Sequence, residues 1–382
     1  MKSSGSLKTN AERNRKRVLF LAYYFRPSEA IASVRSWNMA TQLAKRGWDV
    51  TVVTPRPEQW RFKEDRWIGI VGDAADAGVC LRHVRVSWPM LSHDLLWQDG
   101  VLGRLVGGFC RRVVWHLHID GTIGWMKAVS LFGCSLAPGR FNLLLSTGGL
   151  FTSFRAAGSL AHRLGCPYVL DYRDPWTGNP HQEWPHRERE WEARLVHGAA
   201  GVTVVSPSWG RVIGPRFGVE SKIVTLWNGY DADMFCSVEA KKWDHCAVVY
   251  AGTLYPPQRV LDPVLTAIGA VCAQLPPVPV RFHYYGSHSA LVRQAAERLG
   301  VQPFVEVHGL VSRKSALEAQ KGAALNVIVA SVQEAGSLSE NGIVTGKVFD
   351  CLALGTPVLV IAPPGSDLRE VIKQTGGGEC VS

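Results

Sequence analysis

No apolar run in this sequence of 382 residues approaches the ~18–20 residues that a bilayer-spanning helix needs. The opening stretch, MKSSGSLKTNAERNRKR, has no apolar core and so does not read as a secretory signal. Nine cysteines are scattered without a C-x-x-C pair, which argues against a disulfide framework or a cysteine zinc site and for a reducing cytoplasm. No G-x-G-x-x-G follows the first strand, and there is no Walker A loop, G-x-S-x-G or H-E-x-x-H. These absences count against a dinucleotide oxidoreductase and the usual kinase, serine hydrolase and zinc protease chemistries. No cluster with metal-ligand spacing stands out, so no metal site and no cofactor is expected. Internal repeats at solenoid periods are missing as well.

Apolar residues make up 46% of the chain and charged residues 19%, enough for two buried cores. The net charge of +10 is uneven. Residues 1–17 carry six Lys/Arg against one Glu, residues 18–200 carry 21 basic against 16 acidic, and residues 201–382 carry 15 of each. The excess of positive charge therefore lies in the first half and points there to an anionic partner: a phosphorylated substrate, an anionic membrane face or nucleic acid. Nucleic acid is the weakest of these, because no aromatic and basic surface motif of a known module accompanies the charge. A basic tail that only aids solubility is the plain alternative.

Short apolar runs alternate with helical periodicity. Strands are predicted at 17–24, 49–54, 142–146, 168–171 and 201–205, then at 247–251, 280–285, 305–307, 324–329 and 357–361. A helix is predicted at 33–46, stopped by Gly47. The pattern predicts two successive doubly wound α/β units with right-handed crossovers. The expected division is a basic, disordered tail (1–17), a first domain (18–205), a linker region (206–246) and a second domain (247–382). Ligands of such sheets bind beyond the carboxyl ends of the strands.

Four stretches there could carry chemistry. Asp171-Tyr172-Arg173-Asp174-Pro175-Trp176 crowds charges at a strand end, as a site or as a structural ion pair. Gly252-Thr253-Leu254 lets backbone approach a ligand, or is a tight turn. Gly346 opens and Gly355 closes a helix that places Lys347 beside free N–H groups, suited to phosphate, with Asp350 one turn on, suited to a ribose diol. Together these describe a nucleoside diphosphate site; a surface Lys–Asp pair is the plain alternative. Residues 104–118 (RLVGGFCRRVVWHLH) place apolar anchors beside Arg111, Arg112 and Trp115, as in a helix lying on anionic lipid. The same spacing fits a half-buried helix of the domain.

With these motifs in their order, the sequence resembles the glycosyltransferase family 4 group over nearly its whole length. Residues 17–54 are similar to that group's first βαβ unit. Tyr172-Arg173-Asp174-Pro175-Trp176 is similar to a signature of bacterial polysaccharide and lipopolysaccharide transferases. Val205-Ser206-Pro207-Ser208, Asn228-Gly229-Tyr230-Asp231, Gly252-Thr253-Leu254 and the stretch from Phe349 to Val358 match further family motifs. The resemblance implies an α/β GT-B fold, two Rossmann-like parallel-sheet domains facing across a cleft. It implies retaining, metal-independent transfer from a nucleotide-sugar donor to a glycan or polyprenyl-linked acceptor. Donor binding would fall to Gly252, Thr253, Arg259, Lys347, Asp350 and Asn228, the reacting centre to Asp174 and Arg173, and the acceptor to Arg35, Arg111 and Arg112. The implied setting is the cytoplasm, at the inner membrane face.

Four departures accompany the likeness. Gly342 stands where the family often has a first glutamate, with Glu340 out of register. Thr253 and Gln258 replace the usual diphosphate-clamping Arg and Lys. Ala30-Ile31-Ala32 replaces a Gly-Gly loop. The sequence runs to Ser382, where chains of the family usually continue with helices that cross back to the first domain. A catalytically silent scaffold and a sugar-nucleotide epimerase of the same fold stay open.

Overall fold

The structure is a computed structural model. It describes residues 15–26, 31–56, 74–86, 123–179, 184, 186–230, 232–274, 279–333 and 336–382. The expected tail (through residue 14) and the 104–118 stretch with Arg111 and Arg112 lie outside the described residues.

The first part of the chain runs β1 (Arg17–Leu21), α1 (Ile31–Lys45), β2 (Asp49–Pro55), β3 (Val79–Val84), α2 (Ile123–Cys134), β4 (Leu143–Thr147), α3 (Thr152–Leu164), β5 (Tyr168–Tyr172), α4 (His186–Gly198), β6 (Gly201–Val204), α5 (Pro207–Phe217) and β7 (Ile223–Thr225). Its seven strands form one sheet in the order β3-β2-β1-β4-β5-β6-β7, every neighbouring pair parallel. Val18, Leu19, Phe20 and Leu21 are all fully buried. A central parallel strand is covered on both faces, which is why β1 reads as an unbroken apolar run.

The second part adds α6 (Ala232–Cys236), β8 (Cys246–Ala251), α7 (Asp262–Gln274), β9 (Val280–Tyr285), α8 (Ser289–Leu299), β10 (Val305–Gly309), α9 (Arg313–Gly322), β11 (Leu325–Val329), α10 (Leu338–Asn341), α11 (Gly346–Leu354), β12 (Val358–Ile361), α12 (Asp367–Thr375) and β13 (Gly378–Val381). Its sheet, β10-β9-β8-β11-β12-β13, is again all parallel. Counted from β8, this is the 3-2-1-4-5-6 order of doubly wound dinucleotide-binding sheets. Alternation sorts the side chains: Val248 and Tyr250 join a core with α7 and α8, whereas Val249 faces Ala319 and Ala323 near α9. Each Leu, Ile, Val or Phe buried this way contributes roughly 1.5–3 kcal/mol.

The chain divides into two compact units. Among the described residues, the first takes those up to Val204 and Ile213–Leu226; the second takes Val205–Val212 and those from Trp227 onward.

All ten predicted strands are present. The three that the sequence did not show, β3, β7 and β13, are edge strands. Edge strands need no two-sided apolar face: β3 carries Arg82 and His83, β7 has three residues, and β13 is Gly-Glu-Cys-Val.

In the first unit one buried carboxylate binds several elements together. Asp171, at the end of β5, accepts from Arg35 of α1 through Nε (3.0 Å) and Nη2 (2.6 Å). It also accepts from Thr147 of β4 (2.9 Å) and Thr203 of β6 (2.6 Å). Arg35 Nη1 donates to the Leu226 carbonyl beyond β7 (3.0 Å). Burial raises the Asp171 pKa, but Arg35's charge and the hydrogen bonds from Arg35, Thr203 and Thr147 outweigh it and hold the carboxyl below its ordinary value. Stability from this group is therefore present above the unfolded carboxylate's pKa and lost as pH falls through the lower folded one. Asp171→Ala strands a buried guanidinium. Urea unfolding followed by tryptophan fluorescence should show a loss of about 3–5 kcal/mol at pH 7.

Candidate functional site

Each unit gathers candidate residues at the carboxyl ends of its strands, beside the point where strand order reverses: β1 and β4 in the first, β8 and β11 in the second.

In the first unit the segment after β5 is held by buried contacts that leave two charges facing outward. Tyr172 donates to Glu192 of α4 (2.9 Å), and Thr177 donates to the other oxygen of that carboxylate through its amide (3.0 Å) and its hydroxyl. Burial raises the Glu192 pKa in spite of these donors. Trp176 is buried and stacks on Phe151, with ring centroids 4.9 Å apart and planes within 2°. Between these anchors Arg173 and Asp174 remain partly exposed, at 22% and 48%, paired at 3.2 Å. Arg173 Nη1 is buried without a hydrogen-bond partner. The guanidinium borders a narrow crevice lined also by Tyr23, Tyr24, Ser36, Thr147 and Gly148.

Gly148 and Gly149, which sequence reading passed over, form the turn from β4 toward α3. Gly149 has φ +108°, and a Cβ there would lie 3.3 Å from Arg173 Nη2. The signal was a Gly-Gly pair directly after a strand. Arg35 was expected to meet an acceptor phosphate. The structure corrects this: its guanidinium is buried and committed to Asp171 and the Leu226 carbonyl.

In the second unit, β8 ends at Ala251 and Gly252 follows with φ +149°. The Gly252 amide donates to the Tyr285 carbonyl (2.7 Å), and its carbonyl accepts from the Tyr284 hydroxyl (3.1 Å). The Thr253 carbonyl accepts from Tyr250 (3.1 Å). A Cβ at position 252 would collide with Nζ and Cε of Lys347, so the glycine makes room for the lysine as well as for the turn. Lys347 sits in the first turn of α11, whose N-cap Thr345 accepts from the Lys347 amide (3.5 Å). Its ammonium lies 5.1 Å from the Tyr250 ring centroid. Burial, and then the charge of Arg259, lower its pKa to about 8. Arg259 is itself half-buried, with an Nε that has no hydrogen-bond partner. The structure thus brings Gly252, Lys347 and Arg259 into one electropositive locality.

Asp350 lies one turn further along α11 and accepts from Arg313 of α9 (2.7 Å). Burial raises its pKa although Arg313's charge opposes this. Arg313, 37 residues away, was not singled out from the sequence, since only the packing of α9 on α11 makes the pair. Asn228 is half-buried beside Trp227, which packs against the core of β12, α11 and α12.

The absence of a glutamate at position 342 has a packing cause. Gly342 lies against the Trp209 indole, where any Cβ would collide with the ring, and its carbonyl accepts from Ser206 (2.8 Å). Trp209 Nε1 donates to the Ser339 carbonyl (2.9 Å). The nearby Glu340 is engaged in the α10 capping box, accepting from the Ser337 amide (2.7 Å). The Ser206-Pro207-Ser208 motif is fastened to the same region: the Ser208 amide and hydroxyl donate to Asp367 (2.7 and 2.9 Å).

A third group was missed entirely. His283, Glu306 and His308 place one ligand atom each within 4.8 Å of one another, against the expectation that no metal-ligand cluster exists. Adjacent parallel strands assemble it, and linear spacing does not reveal such a pairing.

Residues 32–229 match the family model described as "Glycosyl transferase 4-like domain". No curated protein matches the chain in sequence at a significant level. Among solved structures, the chain resembles sucrose-phosphate synthase from Thermosynechococcus elongatus (TM-score 0.61, 13% identity, covering 96% of this chain and 86% of that one). It also resembles HepE of Anabaena in complex with UDP (0.56, 13%, 96% and 85%) and a UDP-N-acetylglucosamine 2-epimerase (0.52, 13%, 96% and 82%). At that identity the likeness is one of fold.

The Gly342 packing is directly testable. Gly342→Ala should destabilise the protein by roughly 1–3 kcal/mol through overpacking against Trp209, measured by denaturant midpoint, and Trp209→Leu in the same chain should relieve part of that cost.

Proposed function

The chain belongs to the glycosyl transferase 4-like family and has the two-unit parallel-sheet architecture of the GT-B fold; from that premise we propose that it transfers a sugar, with retention at the anomeric carbon, from a nucleotide-diphosphate donor to a lipid-linked or polysaccharide acceptor. The observation that carries the reading is the half-buried Lys347 ammonium, which occupies the space beside Gly252 that a Cβ there would enter, at the start of α11 and beside the switch point of the second sheet. A charge so placed is costly unless an anion meets it. A donor diphosphate is such an anion, and HepE, of similar fold, has been solved with UDP bound.

In the transfer, the bond from the anomeric carbon to the diphosphate oxygen breaks and its electron pair goes to the diphosphate, while the acceptor hydroxyl oxygen bonds to that carbon on the same face and gives its proton to the departing diphosphate oxygen. Lys347, Arg259 and the α11 N-terminus stabilise that charge, so the leaving group needs no bound cation. Asp350, steadied by Arg313, receives the ribose hydroxyls. Gly252 and Thr253 provide close backbone, and Asn228 belongs to the same donor unit. Arg173 and Asp174 work at the reacting centre, carried on a segment anchored by Asp171, Glu192 and Trp176. The acceptor meets the basic first half of the chain, including Arg111 and Arg112, at the cytoplasmic face of a membrane. No described helix is long and apolar enough to cross that membrane.

Calorimetry with UDP, GDP, dTDP and ADP, with EDTA present, should find micromolar binding of one of them. Lys347→Ala should weaken it about 10–100-fold, the value of a charge-assisted hydrogen bond, and Asp350→Ala should weaken it too. Asp174→Ala should spare binding and cut transfer. Unchanged affinity and turnover in all three variants would overturn the site assignment, and release of an epimerised sugar without acceptor would favour the epimerase reading.

The same site should respond to pH. Lys347 holds its proton below about 8. Donor affinity should be level from pH 6 to 7.5 and fall above pH 8, toward a limit of about tenfold per pH unit, with that fall missing in Lys347→Ala.

A further inference from the structure

The geometry points to a divalent transition-metal site at His283, Glu306 and His308 in the second unit, formed by residues outside the donor site, and we propose that it takes Zn²⁺ or an ion of similar chemistry.

Register assembles the ligands. His283 of β9 pairs with Glu306 of β10, and the register shifts between Val307 and Gly309, an irregularity in β10 at His308, whose ring lies with the other two ligand side chains. His283 Nδ1 lies 3.0 Å from His308 Nε2 and 3.5 Å from Glu306 Oε2, and those last two atoms are 4.0 Å apart. A point equidistant from the three corners of that triangle lies about 2.1 Å from each, the bond length zinc makes with imidazole nitrogen and carboxylate oxygen. Three protein ligands leave a fourth position for water.

The surrounding contacts are those of a supported site. His283 Nε2 lies 2.7 Å from His245 Nε2, and His245 Nδ1 lies 2.6 Å from Asp244 Oδ1. With an ion on its Nδ1, His283 donates its remaining N–H to His245, which donates to Asp244. This chain fixes the tautomer of the ligand. Glu306 turns its other oxygen, Oε1, to Arg281 (2.6 Å) and keeps Oε2 for the cluster. Aromatic rings flank the imidazoles: Trp243 lies against His283 (4.2 Å between centroids, tilted by 37°), and His308 stacks on Tyr285 (4.3 Å, 7°).

Donor chemistry selects the ion. Two imidazoles and one carboxylate suit a borderline d-block cation; the oxygen-seeking Mg²⁺ and Ca²⁺ prefer several carboxylates. Access is open, because His308 lines a cavity of about 360 Å³ together with Lys241, Tyr285, Ser315 and Glu318. Filled, the site ties the edge strand β10 to β9.

The test uses the full chain without an affinity tag, stripped with EDTA and dialysed, then titrated with Co²⁺ and Zn²⁺. One Co²⁺ per chain should bind with the visible absorption of a tetrahedral site, displaced by Zn²⁺ and not by Mg²⁺. Glu306→Gln and His308→Gln change partly exposed side chains and keep the fold by circular dichroism. Each should lose affinity beyond the roughly 10–100-fold expected for removing a supporting hydrogen bond, and His245→Phe should lose within that range. Failure of the native chain to bind one equivalent would overturn the proposal. So would binding that both ligand variants leave unchanged, which would place the ion among the other histidines. Because the readout is the ion, failure of the glycosyl-transfer reading leaves this result intact.

Discussion

A charge taken out of water at the end of a β-strand must be met from every side, and Asp171 shows how much structure that requirement organises. Leaving the carboxylate unpaired would cost several kcal/mol, so α1 contributes a guanidinium and the strands on either side of β5 each contribute a hydroxyl. Through Arg35 the same network reaches the carbonyl of Leu226, the last residue of the first unit. The order of strands around β5 is thus matched by a polar lock at their carboxyl ends, where residues next in sequence are turned outward.

That lock divides labour within Asp171-Tyr172-Arg173-Asp174-Pro175-Trp176. Three of the six residues are fully or almost fully buried anchors: a carboxylate on Arg35, a phenol on Glu192 and an indole on Phe151. Arg173 and Asp174 are what the anchors present. A pair of charges held by a rigid segment is better suited to act on a bound group than the same pair on a free loop, because its orientation does not have to be fixed at the moment of reaction.

The second unit uses glycine where the first uses a carboxylate. Gly252 admits Lys347 and Gly342 admits Trp209; in both cases a missing Cβ lets a large side chain occupy a place beside the backbone. The glutamate missing at 342 is accordingly a packing outcome. The indole that fills its place is tied to the Ser339 carbonyl, and the neighbouring Glu340 is drawn into a helix cap.

Central parallel strands, bracketing glycines and the Lys347–Asp350 helix were legible because each is a local pattern: unbroken apolar runs, a 3.6-residue period, and caps at fixed offsets. Lys347 and Asp350 are one turn apart on any helix, so their spacing alone puts a cation and a carboxylate on one helix face. Three of the four edge strands, β3, β7 and β13, escaped because an edge position needs no two-sided apolar face. What each charge faces follows from packing between elements distant in the chain. That packing sent Arg35 inward to Asp171, gave Asp350 to Arg313 across 37 residues, and brought His283 to Glu306 and His308 through a strand register. Those pairings depend on which elements lie side by side, and linear spacing carries no record of that.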